Sequence, residues 1–496
     1  MNVVYQITKT PNGGGGVYAK RLSDALGMCG LPSRVLTVDE GGLFVRAGAF
    51  GKLRSKWDWA LNGTINRRSR GTVLSFHRRQ IWDSPDAINS QDIVHLHSIT
   101  GFIGDRGLRY LLRNRPRVFW TAHNPWLFTG GCVAYAGCDR FESGCKRCPL
   151  LKFPLEGWTS CELKAKVKFW RDYGVHPIAN SEWMAAMMRR SPLFEGMDIP
   201  VVPPIVDEVF FGTTNHTNLH ERGKQFLTTI ERQGGREKEQ LKVGPKGEGV
   251  GTTESNDADG HGWDKRRVAP AEPGLALSSQ NPFANELSRD SENSSLTRST
   301  SWPASHATSY SLSVTAPQAL WAGGSRFVVG LSARSLTDGG KGIIRFFEKL
   351  PVECAFVKET TFVLIGEGLI PVPPGIDCRF FGHIESQGKL AQIYRSLDLF
   401  VSASAMETFG MAILEAQAGG TPVVAFETGG TPEAVSSAGS KLVRNGDWAG
   451  LFRAVEKMFE TAVKGSGKNR ELSEWVAARH TRQAIAEKQI AIYGRI

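Results

Sequence analysis

The chain has 496 residues, a net charge of +11 from 60 Lys and Arg against 49 Asp and Glu, and 41% hydrophobic residues. That length is too great for one hydrophobic core and calls for two or three domains, and the composition excludes a disordered or fibrous chain. No window reaches the roughly 18 apolar residues of a membrane span, and eight cysteines in so long a chain do not describe a secreted disulfide scaffold.

The opening MNVVYQITKTPNGGGG has neither the basic nor the apolar region of a signal peptide, so the expected location is cytoplasmic. Asn2 to Ile7 reads as a buried strand, Gly13 to Gly16 as a loop, and Val17, Leu22, Leu26 and Met28 as one side of a helix. Strand, glycine loop and helix open a doubly wound domain, and glycines let a backbone approach a ligand closely. The run is not GxGxxG, so it is no dinucleotide fingerprint. Ser33 to Val38 is the second expected strand. Residues 40–90 are basic and irregular, with Arg67, Arg68, Arg70, Arg78 and Arg79 among Trp57, Trp59 and Trp82, and read equally as a solvated face or a binding surface.

Asp92 to His97 and Arg117 to Ala122 are further strands, the second leading into His123 and Asn124. A histidine at the carboxyl end of a parallel strand stands at the ligand edge of its sheet. Then Cys132, Cys138, Cys145 and Cys148 follow as C-x5-C-x6-C-x2-C. Four thiols so close can hold a structural zinc tetrahedrally; free or redox-paired thiols are the alternative. A helix is expected over Cys161 to Tyr173, a strand over His176 to Asn180, a helix capped by Ser181 and carrying Trp183, Met184, Met187 and Met188, and an extended exit from Ile199 to Val206. From there to 324 the sequence turns to Gly, Ser, Thr, Asn, Glu and Lys without periodicity, the mark of a flexible low-complexity insert. That insert is close to neutral, so the basic excess belongs to the rest of the chain.

Order returns at Phe327 with strand, loop and helix start, carrying Arg334 and Lys341. Thr361 to Ile365, Arg379 to Phe381, the helix Ser386 to Ser396 and the strand Leu397 to Val401 follow. The next helix is expected from about Phe409 to Ala418, stopped by Gly419 and Gly420, before the strand Pro422 to Phe426. Glu407 precedes that helix and Glu415 lies two turns inside it. A helix N-terminus suits a phosphate, here through the amides at Phe409 and Gly410, and a deeper carboxylate can accept hydrogen bonds from paired hydroxyls such as those of a ribose. Lys441 to Val443 and two amphipathic helices complete the chain.

The E-x7-E pair Glu407 and Glu415 within ETFGMAILEA, followed by GTPVVA and TGGTPE, resembles the retaining family 4 glycosyltransferases of the GT-B fold. HNPWLFTGGC with a later C-x2-CP narrows the resemblance to bacterial colanic-acid or exopolysaccharide-type transferases. The resemblance implies an α/β architecture of two Rossmann-like domains facing a cleft: an acceptor domain at 1–209 with a Cys-rich insert at 130–150, the flexible insert at 210–324, and a nucleotide-sugar donor domain at 325–496. It implies that Arg334 and Lys341 clamp the donor diphosphate, that Glu415 takes the ribose, that Glu407 meets the sugar, and that His123 and the Gly13–Gly14 loop close the cleft from the other side. Asn124 departs from the family's usual acid. The implied reaction transfers a hexosyl group from a nucleotide diphosphate-sugar to an acceptor hydroxyl, saccharide or lipid-linked, in polysaccharide or glycan biosynthesis, with no metal needed for the chemistry. Peripheral contact with an anionic membrane is compatible with the basic charge, whereas no nucleic-acid module accompanies it. Two other classes fit the same residues: a GT-B epimerase or phosphorylase, and a non-enzymatic binding protein.

Overall fold

The structure is a computed structural model that describes residues 2–37, 88–100, 105–134, 137–151, 157–211, 327–463 and 469–495. The basic stretch from Arg67 to Trp82 and nearly all of the 210–324 insert lie outside the described residues.

The first half is a parallel sheet of five strands: β1 (Val4–Ile7), β2 (Ser33–Leu36), β3 (Ile93–Leu96), β4 (Arg117–Ala122) and β5 (His176–Ala179), in the order β2-β1-β3-β4-β5. The second half is a parallel sheet of six: β6 (Phe327–Ser335), β7 (Thr360–Glu367), β8 (Asp377–Gly382), β9 (Leu399–Ser402), β10 (Val423–Glu427) and β11 (Lys441–Arg444), in the order β11-β10-β9-β6-β7-β8. Continuous burial along β1, β3 and most of β4, β7 and β10 is what a sheet covered on both faces requires, and it explains why these strands read as apolar runs rather than as alternating ones. In each sheet the order reverses once, between β1 and β3 in the first and between β6 and β9 in the second. Loops leaving the carboxyl ends of those paired strands diverge and open a crevice. The loop after β1 ends at Gly13 and the helix that follows starts at Gly14, so most of the expected Gly13–Gly16 loop is helical, and β3 runs into His97. The loop after β6 holds Lys341, and that after β9 holds Glu407.

Helices cover the sheets: α1 (Gly14–Met28), α2 (Trp158–Tyr173), α3 (Glu182–Arg189), α4 (Gln387–Ser396), α5 (Met411–Ala418), α6 (Trp448–Val463), α7 (Arg470–His480) and α8 (Arg482–Gly494). None of the described helices is long and apolar enough to cross a membrane. Three helices, not two, follow β11. The break falls at Thr481, whose extended backbone ends α7 while its hydroxyl accepts from Ala484 N–H and caps α8. α8 belongs to the first sheet's core, where Ile485, Ala486, Ile492 and Tyr493 pack with Val4, Tyr18, Leu22 and Phe119. α5 begins at Met411 rather than Phe409, because Gly410 sits at φ 110°, a conformation that favours glycine and breaks the helical path.

The two halves are joined by polar contacts as well. Asn180, at the end of β5, donates to Thr408 Oγ1 at 3.5 Å. The Glu433 carboxylate accepts from the backbone N–H groups of Glu182 and Trp183 at 2.7 and 2.8 Å, capping α3 from across the interface. Ile485 is 1% exposed within this shared core and Leu442 on edge strand β11 is 37% exposed. Ile485→Ala is expected to cost about 3 kcal/mol and Leu442→Ala less than about 0.5 kcal/mol, a contrast that urea unfolding of the two variants measures directly.

Candidate functional site

The second switch point builds the first cluster. Lys341 Nζ donates to Glu407 Oε1 at 2.6 Å, and Ser404 Oγ donates to the same oxygen at 2.9 Å. Lys341 and Glu407 side chains remain 33% and 18% exposed, so the pair is open to a ligand. Burial by itself would lower the Lys341 ammonium, but the Glu407 carboxylate overrides it and holds the group above its ordinary range. The loop carrying Glu407 is fixed from two sides. Ala405 N–H bonds to Gly340 O, and Gly430 N–H bonds to Glu407 O. A Cβ on Gly429 would come within 1.8 Å of Glu407 O, so the TGG turn has to be glycine for the loop to sit there.

The glycine loop after β1 brings the halves together. The Cβ position of Gly13 lies 3.7 Å from Arg334 Nη1, and that of Gly15 lies 3.3 Å from His123 Cδ2. Arg334 from the second half and His123 from the first therefore flank one loop. Gly410, next to Phe409, caps α5, so the amides at the start of that helix stand beyond the Glu407 loop.

Glu415 has a partner that local sequence did not show. Its Oε1 accepts from Arg21 Nη2 at 2.7 Å, with both side chains under 10% exposed. Arg21 Nη1 donates to Ile205 O at 2.9 Å, and Nη2 also reaches Gln387 Oε1 at 2.6 Å. Burial raises the Glu415 carboxyl, and the guanidinium beside it opposes that shift. Arg21, Gln387, Asn180 and Ser404 are the site residues that pattern reading missed. Arg21 had one visible signal: it lies among Tyr18, Leu22 and Ala25 on the buried face of α1, where a charge needs a partner.

Three histidines stand on the first sheet beneath this loop, His95 and His97 buried and His123 half-buried. His97 Nδ1 is 3.0 Å from His123 Nε2, and His97 Nε2 is 2.6 Å from Gln6 Oε1. His95 lies 2.6 Å from Tyr493 OH and 2.7 Å from Thr121 Oγ1. Burial pushes His95 and His123 down to about 3, and His97 well below the ordinary imidazole range.

The four cysteines of the insert line one cavity of about 20 Å3 together with Thr129 and Phe141. Gly130 N–H donates to Cys145 Sγ at 3.1 Å. Burial, and then the neighbouring cysteines, push the Cys132 thiol up to about 12; burial raises Cys145 and Cys148 as well. All eight cysteines are free thiols. Among the described residues no group of three or more His, Cys, Asp or Glu side chains is placed to hold a metal ion. The structure brings Cys132, Cys138, Cys145 and Cys148, the set expected from the spacing, to the wall of one cavity.

Comparison with known proteins accords with this geometry. Residues 327–461 match the family model described as glycosyl transferases group 1. The D-inositol 3-phosphate glycosyltransferase of Mycobacteroides abscessus is 36% identical over 115 residues, covering 22% of this chain and 25% of that enzyme; the chain therefore matches about a quarter of that curated relative's length. Sucrose-phosphate synthase from Thermosynechococcus elongatus superposes with a TM-score of 0.53 at 12% identity, covering 100% of this chain and 99% of that one. The catalytic domain of starch synthase IV from Arabidopsis thaliana, bound to ADP and acarbose, superposes at 0.50 with 13% identity, covering 100% and 99%. The chain carries a group 1 glycosyltransferase domain, and its fold is GT-B.

Two outcomes follow. Arg21→Ala leaves Glu415 buried without its cation and is expected to cost about 3–5 kcal/mol, read as a fall in the urea midpoint. The histidines are neutral in the fold, with pKa values below their unfolded value of about 6.5, so the unfolded chain binds more protons as pH falls. Stability is then complete above about pH 6.5 and is lost progressively as pH falls toward about 3, on the order of 2 kcal/mol at pH 5 for the fully buried His95. A thermal midpoint unchanged between pH 7.5 and 5 would contradict this.

Proposed function

We propose that this chain, a GT-B protein with a group 1 glycosyltransferase domain at residues 327–461, transfers a hexosyl group from a nucleotide diphosphate-sugar to an acceptor hydroxyl with retention of anomeric configuration. The observation that carries the reading is the meeting of the two switch points: the Lys341–Glu407 pair on one side, and Arg334 beside the Gly13 loop on the other.

In this reading Arg334 and Lys341 take the donor diphosphate, assisted by the amides at Phe409 and Gly410. Cations placed where negative charge grows on the leaving group lower the barrier to breaking the glycosidic bond. The incoming phosphate competes with Glu407 for Lys341 and frees that carboxylate to meet the sugar. Glu415 keeps Oε1 on Arg21 and offers Oε2 to the ribose hydroxyls. His123 and the Gly13–Gly14 loop approach the sugar from the first half. The acceptor oxygen attacks the anomeric carbon on the face from which the phosphate departs. The bond from carbon to phosphate oxygen breaks, and the acceptor proton passes to that phosphate oxygen. Glycoside and nucleoside diphosphate result, and no protein nucleophile is required.

Polysaccharide or glycan biosynthesis is the expected setting, with a saccharide or lipid-linked saccharide as acceptor at the cytoplasmic side. An epimerase would convert the sugar nucleotide with no acceptor present, and a phosphorylase would need inorganic phosphate. Incubation with a panel of sugar nucleotides separates these: the transferase reading expects thermal stabilisation by one donor and release of nucleoside diphosphate that rises with acceptor. Arg334→Ala is expected to lower kcat/KM about 100-fold. Glu415→Gln, which still accepts from Arg21, is expected to weaken donor binding about tenfold; unchanged donor affinity by calorimetry would remove Glu415 from the ribose site.

A further inference from the structure

Side chains in a strand alternate between faces with period two, and partners across a parallel ladder share a face. Gln6 pairs with His95, and His95 with Phe119. Gln6, His95, His97, Thr121 and His123 therefore lie on one face of the first sheet, the face covered by α1 and α8. Their hydrogen bonds have a direction that can be worked out atom by atom.

Gln6 Nε2 donates to Ser33 Oγ at 3.4 Å, while Ser33 Oγ donates to Val4 O at 3.3 Å. That contact orients the amide with its nitrogen toward Ser33, which leaves Oε1 toward His97. A carbonyl oxygen only accepts, so His97 Nε2, 2.6 Å away, carries the proton. A neutral imidazole has one N–H, so His97 Nδ1 is bare and accepts. Its neighbour at 3.0 Å, His123 Nε2, then donates. His123 in turn has its single proton committed, and its Nδ1 is a bare acceptor to which no group among the described residues donates. The rings are held in place as well: Tyr18 meets His123 edge-on at 4.9 Å and His97 at 5.6 Å, and Trp120 Nε1 donates to His97 O at 3.2 Å.

We propose that Gln6 and His97 are positioning residues that fix His123 as the neutral tautomer protonated on Nε2, so that His123 presents Nδ1 to a hydroxyl group of the sugar rather than an N–H to a phosphate. The assignment of a sugar as the ligand rests on the function proposed above; the tautomer does not. The amide of Gln6 sets the direction of the relay. A group that only accepts selects hydroxyls and repels the anionic diphosphate, which leaves the phosphates to Arg334 and Lys341.

The test has two arms. The first uses the full chain with 15N-labelled histidine at pH 7, assigned with His97→Asn and His123→Asn, and needs no activity. Two-bond correlations are expected to show both His97 and His123 protonated on Nε2. A His123 protonated on Nδ1, or as imidazolium, overturns the proposal. The second uses the donor identified by the thermal panel. His97→Asn retains an amide oxygen that can accept from His123 and is expected to keep kcat within about threefold, whereas His97→Leu is expected to lose about tenfold in kcat with donor affinity by calorimetry unchanged. Equal activity of the two variants, or a loss confined to donor affinity, also overturns it. If no donor supports transfer while the tautomers are as stated, the function fails and the relay stands.

Discussion

A buried ion pair between residues 394 positions apart, Arg21 and Glu415, fixes how the two sheets meet. Removing two charges from water costs more than their attraction returns unless every remaining donor is also satisfied. Here the guanidinium meets Glu415, Gln387 and the Ile205 carbonyl, and stacks over Phe210 at 5.4 Å. The four partners of this α1 side chain come from four segments: the extended exit at Ile205, the 3-10 turn at Phe210, α4 and α5. One side chain thus defines the relative placement of elements from both halves. The loops carrying Gly13 and Glu407 inherit their separation from it.

Much of this architecture was legible in the sequence because parallel strands are apolar along their whole length. The strands from Asn2, Asp92, Arg117, Thr361 and Pro422 were visible as runs, with their ends within a residue or two. Histidine and glycine at the ends of those runs marked the ligand edge for the same reason. What periodicity could not show was which charges pair with one another. Lys341 and Glu407 were read as separate contacts to phosphate and sugar, and the structure puts them 2.6 Å apart. Glu415 was read as facing a ligand alone, and Arg21 was not read at all. The first pair is set by the crossover that makes β6 and β9 neighbours and the second by the approach of the two halves, and neither leaves a trace in local spacing.

The cysteine insert shows the opposite limit. Its spacing brought four thiols to one cavity, as spacing can, because the segment from 132 to 148 is short and the chain must turn back on itself. Cys145 and Arg147 take φ of 54° and 51°, left-handed values that mark how tight that turn is. Ligation needs more than adjacency: a closed set of thiolates at fixed angles. Burial raises the Cys132, Cys145 and Cys148 thiols, and contacts such as Gly130 N–H to Cys145 oppose that shift.

The end of the chain returns to the first sheet for a reason that the contacts make plain. The exit from the first half is extended over residues 204–207 and closes in a 3-10 turn at Glu208–Phe210. His480 Nδ1 bonds to Pro204 O at 2.9 Å, Val206 N–H bonds to His480 O, Arg395 donates to Val209 O at 2.8 Å, and Arg482 pairs with Asp207 at 2.6 Å and Glu208 at 2.9 Å. The connection is thus held largely by contacts from α4, α7 and α8. Once α7 is bound there, Thr481 turns the chain toward α1, and α8 can reach the first sheet without a long loop. Its last turn places Tyr493 against His95, so the residue that completes the histidine network is delivered by the same segment that secures the connection between the domains. A site assembled from both halves needs such a tie, because neither sheet alone contains both the histidine network and the Lys341–Glu407 pair.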